Sequence, residues 1–251
     1  MKKFDVIVVG GGPGGSVAST ILAQNKLSVA LFEREPFPRF HIGESLLPAS
    51  MPIFKEIGFY DTLNNGKYLK KYGARFIDYE TDEEVYFGFA DGLNPNIPSA
   101  FEVPRAQFDS DILAHAKNSG VEVFQPENIK SIELHPTHVI ARTENDEFQA
   151  DYVIDVSGRD SIIGKHLKIR DSIKDLNNVA VFSHYEGVSR YKVQRPDRHG
   201  RHPASIFWPI RDAPRHRHER RLVQGSGAVL RHSIGRRERR SGRAHRTGHR
   251  L

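Results

Sequence analysis

The sequence predicts an α/β fold: a parallel sheet carrying inserted antiparallel pieces, followed by a C-terminal tail of different character. Three observations carry this expectation. The chain opens with a strand, a glycine-rich turn, a helix and a second strand, "FDVIVVGGGPGGSVASTILAQNKLSVALFERE". Two stretches, "GARFIDYETDEEVYFGFA" and "IKSIELHPTHVIARTENDEFQA", alternate apolar and polar residues around charged turns, as hairpins do. Finally, residue usage changes abruptly near residues 189–203.

In the opening unit, Val6 to Val9 form a continuous β-branched run, as expected of a parallel strand covered on both faces. Val17 and Ile21, with Ala18 and Leu22, recur at i, i+4 and predict the buried stripe of a helix. Leu27 to Glu33 read as the next strand. The glycines fit G-x-G-x-x-G as Gly10, Gly12 and Gly15. Gly10 permits the tight turn, Gly12 lets backbone approach a pyrophosphate, and Gly15 lets helix and strand pack closely. Pro13, Gly14 and Ser16 complete the turn and join it as candidate cofactor-binding positions. A diphosphate here meets the N–H groups and the positive dipole end of the helix. Glu33, with Arg34 beside it, ends the second strand, where a carboxylate accepts from ribose hydroxyls. This motif does not separate FAD from NAD.

The chain has 251 residues and no cysteine, so disulfides and thiolate metal sites are excluded. No run approaches the roughly 18 apolar residues of a membrane span. "VIVV" is too short for a signal-peptide core, so a cytoplasmic protein is expected. The net charge of +6 describes neither part of the chain. Residues 1–188 hold 19 basic and 27 acidic side chains, a net −8; residues 189–251 hold 18 and 4, a net +14. Of the 18 basic residues in the second part, 17 are arginine and one is Lys192.

Further motifs follow the opening unit. "EREPFPRFHIGESLLPASMPIFKEIGF" carries Pro38, Arg39, Gly43, Glu44 and Ser45. "FEVPRAQFDSDILAHAKNSGVEVF" carries Arg105 at a helix start, with Asp109, Ile112, Leu113 and Ala116 at amphipathic spacing. "ADYVIDVSGRDS" is a strand ending in a turn, with Asp155 and Gly158. Together these motifs resemble the flavin-dependent halogenases and the related aromatic-ring monooxygenases and geranylgeranyl-type reductases; the "HIGESLLP" stretch resembles the halogenase branch in particular. The resemblance spans residues 4–185. It implies a Rossmann-like FAD-binding fold of the glutathione reductase type, with FAD as cofactor and antiparallel substrate-domain insertions at residues 60–104 of a 1–188 domain. It also implies that Arg39, Gly43, Glu44, Ser45, Arg105, Asp155 and Gly158 border the flavin. Physical chemistry supplies companion readings: Arg39 neutralises pyrophosphate or forms a surface ion pair, Glu44 and Ser45 cap a helix, and His41 is structural.

"KKYGARF" places Lys71 where halogenases of this kind carry a catalytic lysine. The implied chemistry is oxidation of halide by reduced flavin and O₂, with the ammonium presenting hypohalous acid to an electron-rich ring. The competing reading is that Lys67, Lys70 and Lys71 form a solvated charged face. The resemblance implies a small aromatic or isoprenoid substrate, free or carrier-bound, and a separate flavin reductase. Monooxygenase and reductase chemistry are the alternatives on the same fold.

The 189–251 tail has almost no apolar periodicity and is expected to be disordered. It stands where such enzymes continue with a tryptophan-rich tunnel and a second flavin-binding segment; only "SIFWPIRDAP" resembles the first. The switch from lysine to arginine at one point reads as a shifted reading frame or an equivalent truncation, and a non-catalytic remnant is the alternative to an active enzyme. A nucleic-acid-binding arm is the competing reading of "RRERRSGRAHRTGHRL", disfavoured because it interrupts a domain instead of extending one.

Overall fold

The structure is a computed structural model that describes residues 1–77, 81, 83–171, 221–223 and 229–231. The chain divides into two compact units, one comprising Met1–Ala180 with Tyr191–Ile210, the other Val181–Arg190 with Arg211–Leu251.

In the first unit, β1 (Lys2–Val9) leads through the glycine turn into α1 (Pro13–Gln24) and β2 (Val29–Phe32). A short 3₁₀ turn at Pro48–Ser50 precedes α2 (Met51–Glu56) and α3 (Tyr60–Asn64). Next come β3 (Leu69–Lys71), β4 (Gly73–Ile77), β5 (Glu84–Gly88) and β6 (Ala100–Glu102). Then α4 (Arg105–Asn118) leads to β7 (Glu122–Phe124), β8 (Ser131–Leu134), β9 (Val139–Arg142), β10 (Glu147–Asp155) and α5 (Ile162–His166). The main sheet has the order β7-β2-β1-β10-β9-β8. Its β7, β2, β1 and β10 run parallel, with Val9 in register with Phe32 on one side and Asp155 on the other. β8 and β9 join it antiparallel through β10, so the second alternating stretch extends the main sheet. The first alternating stretch is the separate hairpin β4–β5, and β3 pairs antiparallel with β6.

The continuous apolar run of β1 follows from burial on both faces. Val6 and Val8, with Val29 and Leu31 of β2, pack against Leu113, Ala116 and Val121. Ile7 and Val9, with Ala30 and Phe32, pack on the other face against Ile132, Ala141 and Phe148. A third cluster joins Met51, Phe54, Phe59 and Leu63 to Phe101, Phe108 and Ile112.

The helix face of α1 differs from expectation. Gly15, Ser16, Ser19 and Thr20 are its fully buried residues, while Val17, Ile21 and Leu22 are only partly buried. Small residues let the helix backbone approach the end of the interior strand β1, and the buried hydroxyls turn back on the chain. Ser16 Oγ donates to the Gly11 carbonyl and Thr20 Oγ1 to the Ser16 carbonyl.

In the second unit, the described residues form an antiparallel pair, β11 (Arg221–Val223) with β12 (Val229–Arg231). The remainder of the expected disordered tail, Trp208 included, lies outside the described residues.

The glycine turn yields a stability prediction. A Cβ on Gly15 would lie 1.8 Å from the Gly10 carbonyl oxygen, whereas one on Gly12 meets only Arg39 Nη2, at 3.9 Å. Gly15→Ala is therefore expected to cost about 3 kcal/mol or more in urea unfolding, and Gly12→Ala about 1 kcal/mol or less.

Candidate functional site

The site forms where β1 and β2 end. Gly10 leaves β1 with φ +110, donates its N–H to the Phe32 carbonyl, and abuts the Val156 carbonyl so closely that any Cβ would collide at 2.4 Å. The chain turns and enters α1 with Gly12 as N-cap and Pro13 at the first helical position. No side chain caps this terminus. The first-turn N–H groups have no intrahelical partner and point outward from the helix end. Open space over Gly12, an uncapped positive helix terminus and a guanidinium above it form a cradle that suits a diphosphate.

Glu33 is buried at the end of β2 and orders this turn. Its Oε2 accepts from the Gly11 N–H at 2.8 Å and its Oε1 from the Glu35 N–H at 2.9 Å. Each carboxylate oxygen keeps acceptor capacity for a ribose hydroxyl. Gly11, absent from the sequence-derived set, has its own reason to be glycine: a Cβ there would sit 2.8 Å from Glu33 Cβ. The available signal was its place as the middle of three consecutive glycines, Gly10 to Gly12. Arg34 points to the surface, 55% exposed, where it pairs with Asp160 and lies 3.4 Å from Glu35.

Arg39 is not a surface ion pair. Its side chain is 16% exposed and lies among three carboxylates: Asp109 at 3.3 Å, Glu35 at 3.6 Å and Glu33 at 4.0 Å. Its guanidinium stacks 4.6 Å over the Phe37 ring. Arg105, at the start of α4, forks onto Asp109 with Nε at 2.7 Å and Nη2 at 3.0 Å. Its Nη1 donates to the Ile42 carbonyl at 2.9 Å and lies 3.3 Å from His41 Nδ1, which fixes the 41–43 turn. His41 serves this turn, as its structural reading expected. Gly43 adopts φ +100 beside Arg105.

Asp109 thus holds the two arginines together. It is fully buried, on the core stripe with Ile112, Leu113 and Ala116. By its spacing in the sequence it counts only as part of the amphipathic helix. The signal was available: a carboxylate on the core side of an amphipathic helix requires a buried cation, and Arg105 stands four residues before it.

Glu44 and Ser45 do not cap a helix. The Glu44 carbonyl accepts from the Val103 N–H at 2.7 Å, and Ser45 bridges Glu102 on an extended segment alongside β6. The following 3₁₀ turn begins at Pro48, with Leu47 as its N-cap. Ser45 Oγ accepts a hydrogen bond from Lys71 Nζ. Lys71 is 6% exposed on β3, 3.7 Å from Glu102 Oε1 and 5.4 Å from the Phe89 ring centre. The solvated-face reading therefore fails for Lys71. It fits Lys67, which pairs with Asp111 at the surface.

Asp155, at the end of β10 beside Val9, spends its carboxylate within its own turn. Oδ1 accepts from the Ser157 N–H and hydroxyl, and Oδ2 from the Ile163 N–H at 2.8 Å. Gly158 follows at φ +69 with open space around it. The glycine turn, Glu33, Arg39 and Arg105 form one connected cluster, and Lys71, Ser45 and Glu102 form a second. The Gly43-Glu44-Ser45 stretch joins them.

Removing the shared carboxylate should leave Arg105 without its acidic partner and Arg39 with only the longer contacts to Glu33 and Glu35. Asp109→Asn is expected to cost about 3–5 kcal/mol, the scale for breaking a buried ion pair, read by urea unfolding.

Comparison with known proteins shows the family of the fold that carries this site. The FAD binding domain family matches residues 3–202. The chain is 34% identical over 218 residues to the 1H-pyrrole-2-carbonyl-[peptidyl-carrier protein] chlorinase of Pseudomonas fluorescens, covering 78% of this chain and 48% of that protein. Among solved structures it is similar to the flavin-dependent halogenase CmlS, with 31% identity, TM-score 0.62, and coverage of 67% of this chain and 32% of that one. A flavoprotein/dehydrogenase from Cytophaga hutchinsonii gives 32% identity, TM-score 0.62, and coverage of 65% and 41%. The chain spans about half the length, or less, of these relatives. A phosphate-ready glycine turn on the first parallel strand, an acidic residue ending the second, and a match over most of its length place this chain in the FAD binding domain family.

Proposed function

We propose that the chain carries the FAD-binding part of a flavin-dependent halogenase acting on an electron-rich aromatic substrate, free or carrier-bound. The observation that carries this reading is Lys71: a lysine ammonium withdrawn from solvent and hydrogen-bonded to Ser45 of the G-E-S stretch. A buried lysine is costly and needs a reason that a surface lysine does not.

Gly10, Gly12, Pro13, Gly14 and Gly15 would hold the FAD diphosphate at the N-terminus of α1, with Ser16 bracing the turn from inside. Glu33 would accept from the ribose. Arg39 supplies positive charge over Gly12, and Arg105 fixes the Gly43 turn from below. Asp155 and Gly158 would shape the wall next to Gly10, and Arg34 the outer rim. Reduced FAD, when bound, supplies the activation of O₂ that oxidises halide to hypohalous acid. Lys71 then donates an N–H to the oxygen of that acid, which draws electron density from the halogen and holds it for attack by the ring. A separate flavin reductase supplies the reduced cofactor. Among the described residues no helix is long and apolar enough to cross a membrane, and we place the reaction in the cytoplasm.

The test supplies the purified chain with FAD, a flavin reductase, NADH, O₂ and bromide, and offers pyrrole and phenol substrates. The expected result is a brominated product that falls about 10²-fold or more in Lys71→Met while flavin oxidation continues. A hydroxylated product without bromine would instead support monooxygenase chemistry and overturn the proposal.

A further inference from the structure

The Lys71 pocket contains a second buried ionisable group that the proposed reaction does not use. Glu102, on β6, is 8% exposed, and both of its carboxylate oxygens are buried without a hydrogen-bond partner among the described residues. A carboxylate withdrawn from water in this way loses several kcal/mol of solvation unless a nearby charge compensates it. The compensating charge is Lys71 Nζ, 3.7 Å from Oε1, which is ion-pair range and longer than a hydrogen bond. Three segments converge on this point. β3 brings Lys71 and β6 brings Glu102, while the extended 44–46 segment brings Ser45, whose hydroxyl accepts from Nζ. The Phe89 ring closes the other side.

We propose that Glu102 is a positioning residue for Lys71: its carboxylate is the counter-charge that keeps the buried ammonium protonated and seated on Ser45. This rests on the reading of Lys71 as the halogen-presenting group, which needs an ammonium at this buried place. The charged groups facing Glu102 are Lys71 from β3 and Glu44 from the adjacent extended segment. Burial pushes the Glu102 carboxyl up to about 7; Lys71 and Ser45 pull it down, and Glu44 adds to the rise. Glu102 is therefore a carboxylate above neutrality. As pH falls through about 7, Glu102 takes up a proton and Lys71 loses its counter-charge. The linkage has a definite sign. A carboxyl raised in the folded state contributes stability that is full below its ordinary value of 4.5 and is lost as pH rises to about 7.

The experiment measures the charge state of Lys71 directly, without cofactor or turnover. The full chain is acylated with an amine-selective reagent across pH 6–9, and modification at Lys71 is read by peptide mass spectrometry. Exposed Lys2 and Lys165 serve as internal references. Glu102→Gln removes the counter-charge and should raise Lys71 acylation about tenfold for each pH unit by which its titration falls. Glu102→Asp should largely restore the wild-type rate, which a purely steric role for Glu102 would not predict. The reciprocal measurement uses ¹³C-glutamate NMR on Lys71→Met, in which Glu102 should titrate at higher pH than in wild type. That measurement decides the matter if Glu102→Gln unfolds and every lysine becomes reactive together. Equal Lys71 acylation in folded wild type and Glu102→Gln, or an unchanged Glu102 titration in Lys71→Met, would overturn the proposal. Either result leaves the halogenation test of Lys71 untouched. Loss of bromination in Lys71→Met alongside an uncoupled pair would sink this inference alone.

Discussion

The contact between Gly15 and the Gly10 carbonyl is the constraint on which the rest of the site depends. With no room for even a methyl group between them, the first turn of α1 seats directly on the end of β1. That fixes where the uncapped helix terminus points and places Gly12 beneath Arg39. It also brings Gly11 onto Glu33, so the acidic residue that ends β2 orders the turn while keeping acceptor capacity for a ligand. A looser packing would lose the cradle along with the contact, because backbone N–H groups hold an anion only where they converge.

Around this turn, buried charge is handled in two ways. Asp109 takes the fork of Arg105 on both oxygens and a single longer contact from Arg39, and its full burial is offset by these charge-assisted hydrogen bonds. The arrangement is rigid and has a structural use: Arg39 and Arg105 come from distant parts of the sequence and are held in one place. Lys71 and Glu102 are matched less tightly. Their contact is longer, and the Glu102 oxygens have no hydrogen bonds of their own among the described residues. Burial holds the Glu102 carboxyl up at about 7, so this contact responds to pH where the Asp109 cluster is built to hold the fold.

Much of the fold was legible in the sequence for physical reasons. The run Val6–Val9 had to be covered on both faces, and the glycine spacing had to be a turn between strand and helix. Alternation in Gly73–Gly88 gave a hairpin. What was not legible depended on tertiary contacts. Hydrophobic spacing pointed to Val17 and Ile21 as the packing face of α1, but close approach favours small residues, so Gly15, Ser16, Ser19 and Thr20 lie deepest. Ser45 carries a good capping side chain, yet the backbone of its neighbours is already committed to pairing with β6. Charge and spacing alone did not separate Lys71 from Lys67 and Lys70; the resemblance carried by "KKYGARF" pointed to it, and the pairing of β3 with β6 is what turns it inward. Glu102 was overlooked because Lys71 and Ser45 lie far from it along the chain, and Asp109 because its second arginine, Arg39, lies 70 residues away.

The central claim is that the glycine turn and its arginine cover bind FAD. Its most direct test is a titration of the full 251-residue chain with FAD, followed by flavin fluorescence, for wild type and Gly12→Ala side by side. The account predicts saturation at one FAD per chain in wild type. It predicts binding weaker by about tenfold or more in Gly12→Ala, equivalent to about 1.4 kcal/mol, with unchanged far-ultraviolet circular dichroism. A folded wild-type chain that shows no saturable binding, or a Gly12→Ala chain that binds as tightly as wild type, would contradict it.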